Sequence, residues 1–412
     1  MNKKLVALAV AGAFALPLAA QAQTANVTLY GRINIDTEVI INAKQDTSTP
    51  SQQVKGNYYR VASNSSRLGV RGTESLGGGT NAIFQIEERF DASSASTVTN
   101  GGDSFVGLQG GWGTLKIGYF LTPYDDIGPI FGDVPTLITG IFGTSAVWSN
   151  TGWSGNNQPG GAFDDRVGNT VRYDSPNLSG FTFSGQVSGM DVSGNADGGD
   201  LTQQRRHAAI YSMNVLYNNG PFQAGFAYEA HDKTRAPNFQ GQSTQDQGIT
   251  AALAYTWGPV KIGAVYEQLK YKNALQIPTT GAFVNGDLKR NMWGISMIGN
   301  FGPGQLYAGY FGAQNGRGGA PCLTTAGVTS CPRVGAVTMG PDTKVNMYEF
   351  TYTYPLSKRT LIYGGYVMID NEKNAAYNFH VNQITGVCTG DGAVCGDSAR
   401  PQGVALGMVH FW

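Results

Sequence analysis

Charge, histidine and cysteine are all scarce in this sequence. Only 14 % of the 412 residues are charged, and 28 Lys and Arg balance 28 Asp and Glu, which excludes a globally basic nucleic-acid binder. The four histidines, His207, His231, His380 and His410, stand in no recognisable motif with Ser, Asp or Glu, so general acid–base or nucleophilic catalysis has no obvious carrier. No Gly-rich phosphate loop, HExxH motif or EF-hand loop occurs, and the Gly77-Gly78-Gly79 run reads as a turn. No cofactor and no metal are therefore expected. Beyond the first residues no stretch reaches the ~18 consecutive apolar residues of a spanning helix.

What is present starts with an export signal. Asn2-Lys3-Lys4 forms a basic head, Leu5 to Ala19 an apolar run, and Ala20-Gln21-Ala22 a small-x-small cleavage site. We expect residues 1–22 to be a signal peptide and 23–412 a single exported domain. Removing the signal takes away two lysines and no acid, so the remainder is slightly acidic. The four cysteines fall as two close pairs, Cys322 with Cys331 and Cys388 with Cys395. An oxidising compartment favours two local disulfides. A zinc site is the alternative, though CxxC spacing is lacking and His380 is the only histidine nearby.

The rest of the chain alternates with period two. In VTLYGRINIDTEV, Val27, Leu29, Gly31, Ile33 and Ile35 share one face, and Thr28, Tyr30, Arg32, Asn34 and Asp36 the other. Phe222, Ala224, Phe226 and Tyr228 oppose Gln223, Gly225 and Glu229. Val260, Ile262, Ala264 and Tyr266 oppose Lys261, Gly263 and Glu267. Tyr348, Phe350, Tyr352 and Tyr354 oppose Met347, Glu349, Thr351 and Thr353. The connections alternate between short turns and long loops, seven of the former and eight of the latter, which implies sixteen strands. Short turns on one side and long loops on the other fit an outer-membrane barrel. The expected fold is all-β: a 16-stranded antiparallel transmembrane barrel, with apolar groups toward lipid and ionic groups enclosing water. A soluble sandwich is the alternative for the aromatic stripes.

One connection is different in kind. Phe120 to Asp165 shows no strand, and such long inserts are usually functional or disordered. This one carries Phe131, Leu137, Ile138, Ile141, Phe142, Trp148 and Trp153, which need a surface to pack on. It also carries Asp125, Asp126, Asp133, Asp164 and Asp165, with no Lys or Arg before Arg166. We expect an acidic loop folded inward to narrow a tube. The final strand, GVALGMVHFW, ends the chain on Trp412, with Val404, Leu406, Met408 and His410 on the same face.

VTLYGRINI, SSRLGVRGTESLGGGTNAIFQIE, SFVGLQGGWGTLKIGY, RVGNTVRYDSPNLSGFTFSG, TYPLSKRTLIYGGY and the final strand together resemble the trimeric general porins of Gram-negative outer membranes, especially their beta-proteobacterial branch. The resemblance implies a homotrimer in the outer membrane, a third loop folded into the lumen, and passive diffusion of small hydrophilic solutes and ions. Its partners would be itself, outer-membrane lipid and lipopolysaccharide, and the barrel-assembly machinery, for which Trp412 resembles the terminal aromatic signal. No nucleic acid is among them, and the chain would not be an enzyme. On the family's pattern Arg32, Arg67 and Arg166 match a basic wall. The alternation adds Arg71 and Arg172 to the lumen face, and Arg89 is a further cation there. Gly118-Tyr119 stands where the family usually has another arginine. Pro129-Ile130-Phe131-Gly132-Asp133 resembles a P-E-F-G-G-D element, so Asp133, Asp125 and Asp126 would form the acidic side. A substrate-specific outer-membrane channel is the alternative function.

Overall fold

In a computed structural model, residues 26–44, 55–94, 101–132, 140–150, 162–191, 207–235, 244–273, 275–277, 281–325, 328–375, 377–379 and 400–412 are described. The candidate signal peptide, Asp133, Cys388 and Cys395 lie outside these residues.

The wall consists of sixteen antiparallel strands closed on themselves. They are β1 Asn26–Lys44, β2 in two pieces (Lys55–Ser63 and Ser66–Gly77), β3 Thr80–Phe90, β4 Ser104–Gly110, β5 Gly113–Leu121, β6 Arg166–Asp174, β7 Phe181–Asp191 and β8 His207–Asn219. The second half comprises β9 Phe222–Asp232, β10 Gln245–Trp257, β11 Val260–Lys272, β12 Asp287–Phe301, β13 Gly304–Ala313, β14 Val345–Pro355, β15 Thr360–Asn371 and β16 Gln402–Phe411. Closure comes from β1 pairing with β16, from Arg32 opposite Phe411 to Ile41 opposite Gln402. A closed wall leaves no unpaired backbone edge, which an apolar bilayer would penalise heavily.

The period-two pattern places its faces as expected. Val27, Leu29, Ile262, Ile295 and Leu406 are exposed on the outside of the cylinder. Aromatic rings ring its two ends: Trp112, Trp257, Phe301 and Trp412 beside the short turns, Tyr59, Tyr211, Tyr266 and Trp293 toward the long loops. The turns need backbone that few side chains tolerate. Gly77, Gly78 and Gly79 all have positive φ, so the run closes the β2–β3 hairpin.

The interior departs from the sequence expectation in one respect. Ionic groups do not line it throughout. On the β1–β4 side the inner face is polar. Across from it, inward residues such as Leu269, Met292, Tyr307, Phe311, Met347 and Val367 are buried in a continuous apolar cluster. The reason is the inward segment itself. Ile127, Ile130, Phe131, Phe142, Trp148 and Phe163 belong to that same cluster, so the barrel wall supplies the dry bed that the segment's own side chains require.

Candidate functional site: the lumen constriction

The inward segment between β5 and β6 lies inside the cylinder. It opens with a short 3-10 turn, Asp125–Ile127, and a single α turn, Gly128–Phe131, with Pro129 near its start. Its root is fixed by hydrogen bonds. Thr122 donates through its hydroxyl to the Phe163 carbonyl at 3.2 Å, and Asn214 donates to the Pro123 carbonyl at 2.8 Å. Farther along, a buried clamp holds it to the wall. Tyr124 donates to Glu267 at 2.9 Å and the Ser149 amide donates to the same oxygen at 2.8 Å. Arg290 pairs with Glu267 and donates to the Val147 carbonyl. Trp148 donates to Thr250 at 3.2 Å.

Four inward glycines of the wall form sockets for this segment. A Cβ on Gly225 would lie 2.5 Å from Ile130 Cδ1, and one on Gly263 would lie 2.7 Å from Phe131 Cα. On Gly248 it would meet Phe163 at 2.7 Å, and on Gly403 it would meet Ile141 at 2.6 Å. Such separations are far inside van der Waals contact, so a larger residue at any of these positions would displace the segment, most of all at Gly263, where the contact is with backbone. In sequence, Gly225 and Gly263 fall on the polar phase of their strands, beside Gln223, Glu229, Lys261 and Glu267.

Opposite the segment, the basic wall is gathered by a kink. β2 breaks at Asn64-Ser65, where Ser65 has φ +55°, and this turns backbone carbonyls toward the lumen. Arg32 Nε donates to the Ser65 carbonyl at 3.2 Å and Arg67 Nε to the same oxygen at 3.4 Å. Arg89 donates to the Ser65 hydroxyl at 3.4 Å. Register makes the same row, since Arg32 is opposite Arg67 and Arg67 opposite Arg89. Two acids partly offset it: Glu87 pairs with Arg67 at 3.0 Å, and Asp103 with Arg166 at 2.6 Å. Arginine is suited to such crowding because its guanidinium keeps its charge and is weakly hydrated.

The remaining predicted cations sit elsewhere. Arg71 is exposed and lies over the Tyr30 ring at 5.0 Å, nearer the short turns. Arg172 is held by Asp126 at 2.6 Å and Asp174 at 2.7 Å, so it anchors the segment's root. That pairing also takes Asp126 away from the arginine row; its other contact is Asn214 at 2.7 Å. Besides its partner Asp103, Arg166 also exerts an electrostatic pull on Asp125 and Asp165 of the inward segment. Burial, then repulsion from Asp164 and Asp126, pushes Asp125 well above the ordinary carboxylate range. Burial, then repulsion from Asp164 and Glu229, pushes Asp165 up to about 7. Arg89, Glu87 and Asp103 were not singled out from the sequence as constriction residues; the strand alternation that places Arg67 inward also places Glu87 and Arg89 inward once the β2–β3 register is known.

Among the described residues no group of three or more His, Cys, Asp or Glu could hold a metal ion. Cys322 and Cys331 form a disulfide in the connection between β13 and β14. That connection meets the one between β11 and β12 in a small four-stranded sheet, with Gln276 opposite Arg333. Asn150 of the inward segment ties into it, donating to the Val334 carbonyl at 3.1 Å and accepting from the Ala336 amide at 2.9 Å.

A closed sixteen-stranded wall, lipid-compatible outside and narrowed inside by its own loop, defines an outer-membrane β-barrel channel. Residues 7–374 match the sequence pattern of the Gram-negative porins, and the chain belongs to that family. It is 27 % identical to outer membrane porin protein 32 of Delftia acidovorans, over 100 % of this chain and 99 % of the relative. It is 29 % identical to an outer membrane porin protein of Bordetella pertussis, over 88 % of this chain and 93 % of that relative. Among solved structures, the anion-selective porin from Comamonas acidovorans aligns with a TM-score of 0.68 at 20 % identity, covering 94 % of this chain and all of that one. The trimer form of OmpT from Vibrio cholerae aligns with a TM-score of 0.59 at 14 % identity, over 94 % and 99 %. Like its relatives, the chain is a porin of the outer membrane, a channel for small hydrophilic solutes.

Proposed function

We propose that diffusion through this porin is controlled by a transverse field. Arg32, Arg67, Arg89 and Arg166 supply its positive side, and Asp164 and the ionised form of Asp165 on the inward segment its negative side, with Asp125 and Asp133 further candidates there. The observation that carries this reading is the convergence of Arg32, Arg67 and Arg89 on Ser65, which concentrates positive charge in one row. A charged solute faces a prohibitive cost in the bilayer core, and a water-filled passage removes most of it. Fixed charges at the narrowest point then bias which ions pass. The row carries more cations than Glu87 and Asp103 offset, so the weak preference is for anions. Apolar solutes are penalised because they must displace water ordered between the two charged faces. No catalytic step is involved.

The working unit in this proposal is a homotrimer; the structurally similar OmpT of Vibrio cholerae is itself known in a trimer form. Trp412 serves as the terminal signal for the barrel-assembly machinery. The test is the reversal potential in planar bilayers under a salt gradient. Replacing Arg67 and Arg166 by Ser lowers the anion-to-cation permeability ratio. An unchanged ratio overturns the transverse-field reading.

A further inference from the structure

A group of unpaired oxygens lies behind the root of the inward segment, apart from the arginine row. Gln186 on β7, Ser212 and Asn214 on β8 and Glu229 on β9 share the inner face of the wall. Ser212 is opposite Gln186 on one side and opposite Glu229 on the other. Asn214 follows two residues along β8 on the same face, ~7 Å away at strand rise. All four are deeply buried: Gln186 is 6 % exposed, Ser212 and Asn214 3 %, and Glu229 1 %. The root of the segment covers them. Asn214 holds the Pro123 carbonyl, and the side chains of Thr122 and Ser212 both lie beside the Glu229 carboxyl.

The donor ends of these side chains are already committed. Gln186 donates through Nε2 to the Ser188 hydroxyl at 3.3 Å. Asn214 donates through Nδ2 to the Pro123 carbonyl at 2.8 Å and to Asp126 at 2.7 Å. The Thr122 hydroxyl donates to the Phe163 carbonyl. Glu229 Oε1 lies 2.7 Å from His231 Nε2. Four oxygens remain: Gln186 Oε1, Asn214 Oδ1, Glu229 Oε2 and Ser212 Oγ are buried and have no hydrogen-bond partner. Three of them can only accept while they keep these bonds, and Ser212 has a single hydrogen to offer. Buried acceptors without a partner are costly. A cation satisfies all four together.

The charge balance points the same way. Arg172 pairs with Asp126 and Asp174, and Lys116 pairs with Asp174 at 2.9 Å, so these neighbours cancel among themselves. Among the described residues the ion-pair partner of Glu229 is His231. With a neutral imidazole beside it, the Glu229 carboxylate leaves one negative charge behind the segment.

We propose that Gln186 Oε1, Ser212 Oγ, Asn214 Oδ1 and Glu229 Oε2, covered by Thr122, bind a single sodium ion. Hard oxygen donors suit a hard cation, and one carboxylate among neutral oxygens matches one positive charge rather than two. With a single acid, the site differs in kind from the His, Cys and carboxylate groups absent among the described residues. The ion ties the Thr122–Asp126 root to β7, β8 and β9, and so steadies the inward segment. This is independent of the arginine row: reversal potentials of the Arg67 and Arg166 variants test the transverse field and leave sodium binding untouched.

The test uses the full-length protein in detergent at about pH 8, where an ordinary histidine is neutral. Sodium chloride is compared with N-methylglucamine chloride at equal concentration. In equilibrium dialysis with radioactive sodium the native protein retains one ion per chain. Its folded band on unheated gels melts at higher temperature in the sodium salt, and its open-channel noise in bilayers is lower there. Glu229→Gln abolishes both the retention and the sodium dependence. Ser212→Ala removes one oxygen and no charge; it raises the half-saturating sodium concentration about tenfold and serves if Glu229→Gln does not fold. No retained sodium in the native protein overturns the site and leaves a proton on Glu229 to satisfy these oxygens. Undiminished retention in both variants overturns it by placing the ion elsewhere. Retention of calcium in preference to sodium overturns the monovalent assignment.

Discussion

At the scale of single residues, Asp165 of the inward segment changes charge in an accessible range. Its carboxyl is raised from 3.8 to about 7, by burial first and then by Asp164 and Glu229. A raised carboxylate contributes stability that is fully present below its unfolded value and lost as pH rises through its folded value. For Asp165 that window runs from about pH 4 to about pH 7. The same proton affects permeation. Between pH 8 and pH 6 the inward segment loses a negative charge facing Arg166, so the anion-to-cation permeability ratio rises. Reversal potentials across that range check the effect, and Asp165→Asn abolishes the pH dependence while holding the ratio at its acid value. The wall arginines were legible as residues because alternation assigns each to a face. Their convergence was not, because the kink at Asn64-Ser65 depends on a serine at positive φ, a conformation that no sequence rule assigns to that residue.

At the scale of elements, the inward segment and its glycine sockets act together. Its length and composition showed that it folds inward and needs apolar partners. Where it docks was not evident, because inward glycines are usually taken as room for sheet curvature. Gly225→Val with Gly263→Val removes two sockets, and the added methyls cannot fit where Ile130 and Phe131 approach within 2.5 and 2.7 Å of a Cβ position. Overpacking of this kind costs ~1–3 kcal/mol per site. The barrel relieves it most cheaply by letting the segment leave the wall. Single-channel recordings of the double variant show a shifted conductance and larger open-channel noise, while unheated electrophoresis still shows a folded barrel. Wild-type conductance and noise would mean that the sockets do not position the segment. The small sheet above it, joined through Asn150, had no sequence signal, since its strands are two residues each and their partners come from a different loop.

At the scale of the whole molecule, the barrel was readable from punctuation: seven short turns alternating with eight long loops imply sixteen strands, and short turns on one side with long loops on the other favoured a closed barrel over the sandwich alternative. The filled half of the interior was not readable, because a buried apolar face and a lipid-exposed one look alike in sequence. Closure itself depends on the β1–β16 seam, where the Trp412 ring covers Gly31 and its amide donates to the Gly31 carbonyl at 3.2 Å. Trp412→Ala opens this corner and removes the terminal aromatic. Membrane yield falls, and the folded species seen on unheated gels melts at lower temperature. For the native chain the same gels show a trimer-sized band, and a monomer-only pattern would remove the homotrimer.

The segment leaning on one side of the cylinder separates two properties that a plain tube keeps together. Girth, and with it the mechanical continuity of the wall in the bilayer, is set by sixteen strands. In the proposed reading, sieving is set by the crescent left between the arginine row and the loop. A lineage carrying this architecture can therefore retune what leaks into the cell by altering a handful of loop and socket positions, without touching the staves that must insert, close and withstand osmotic load.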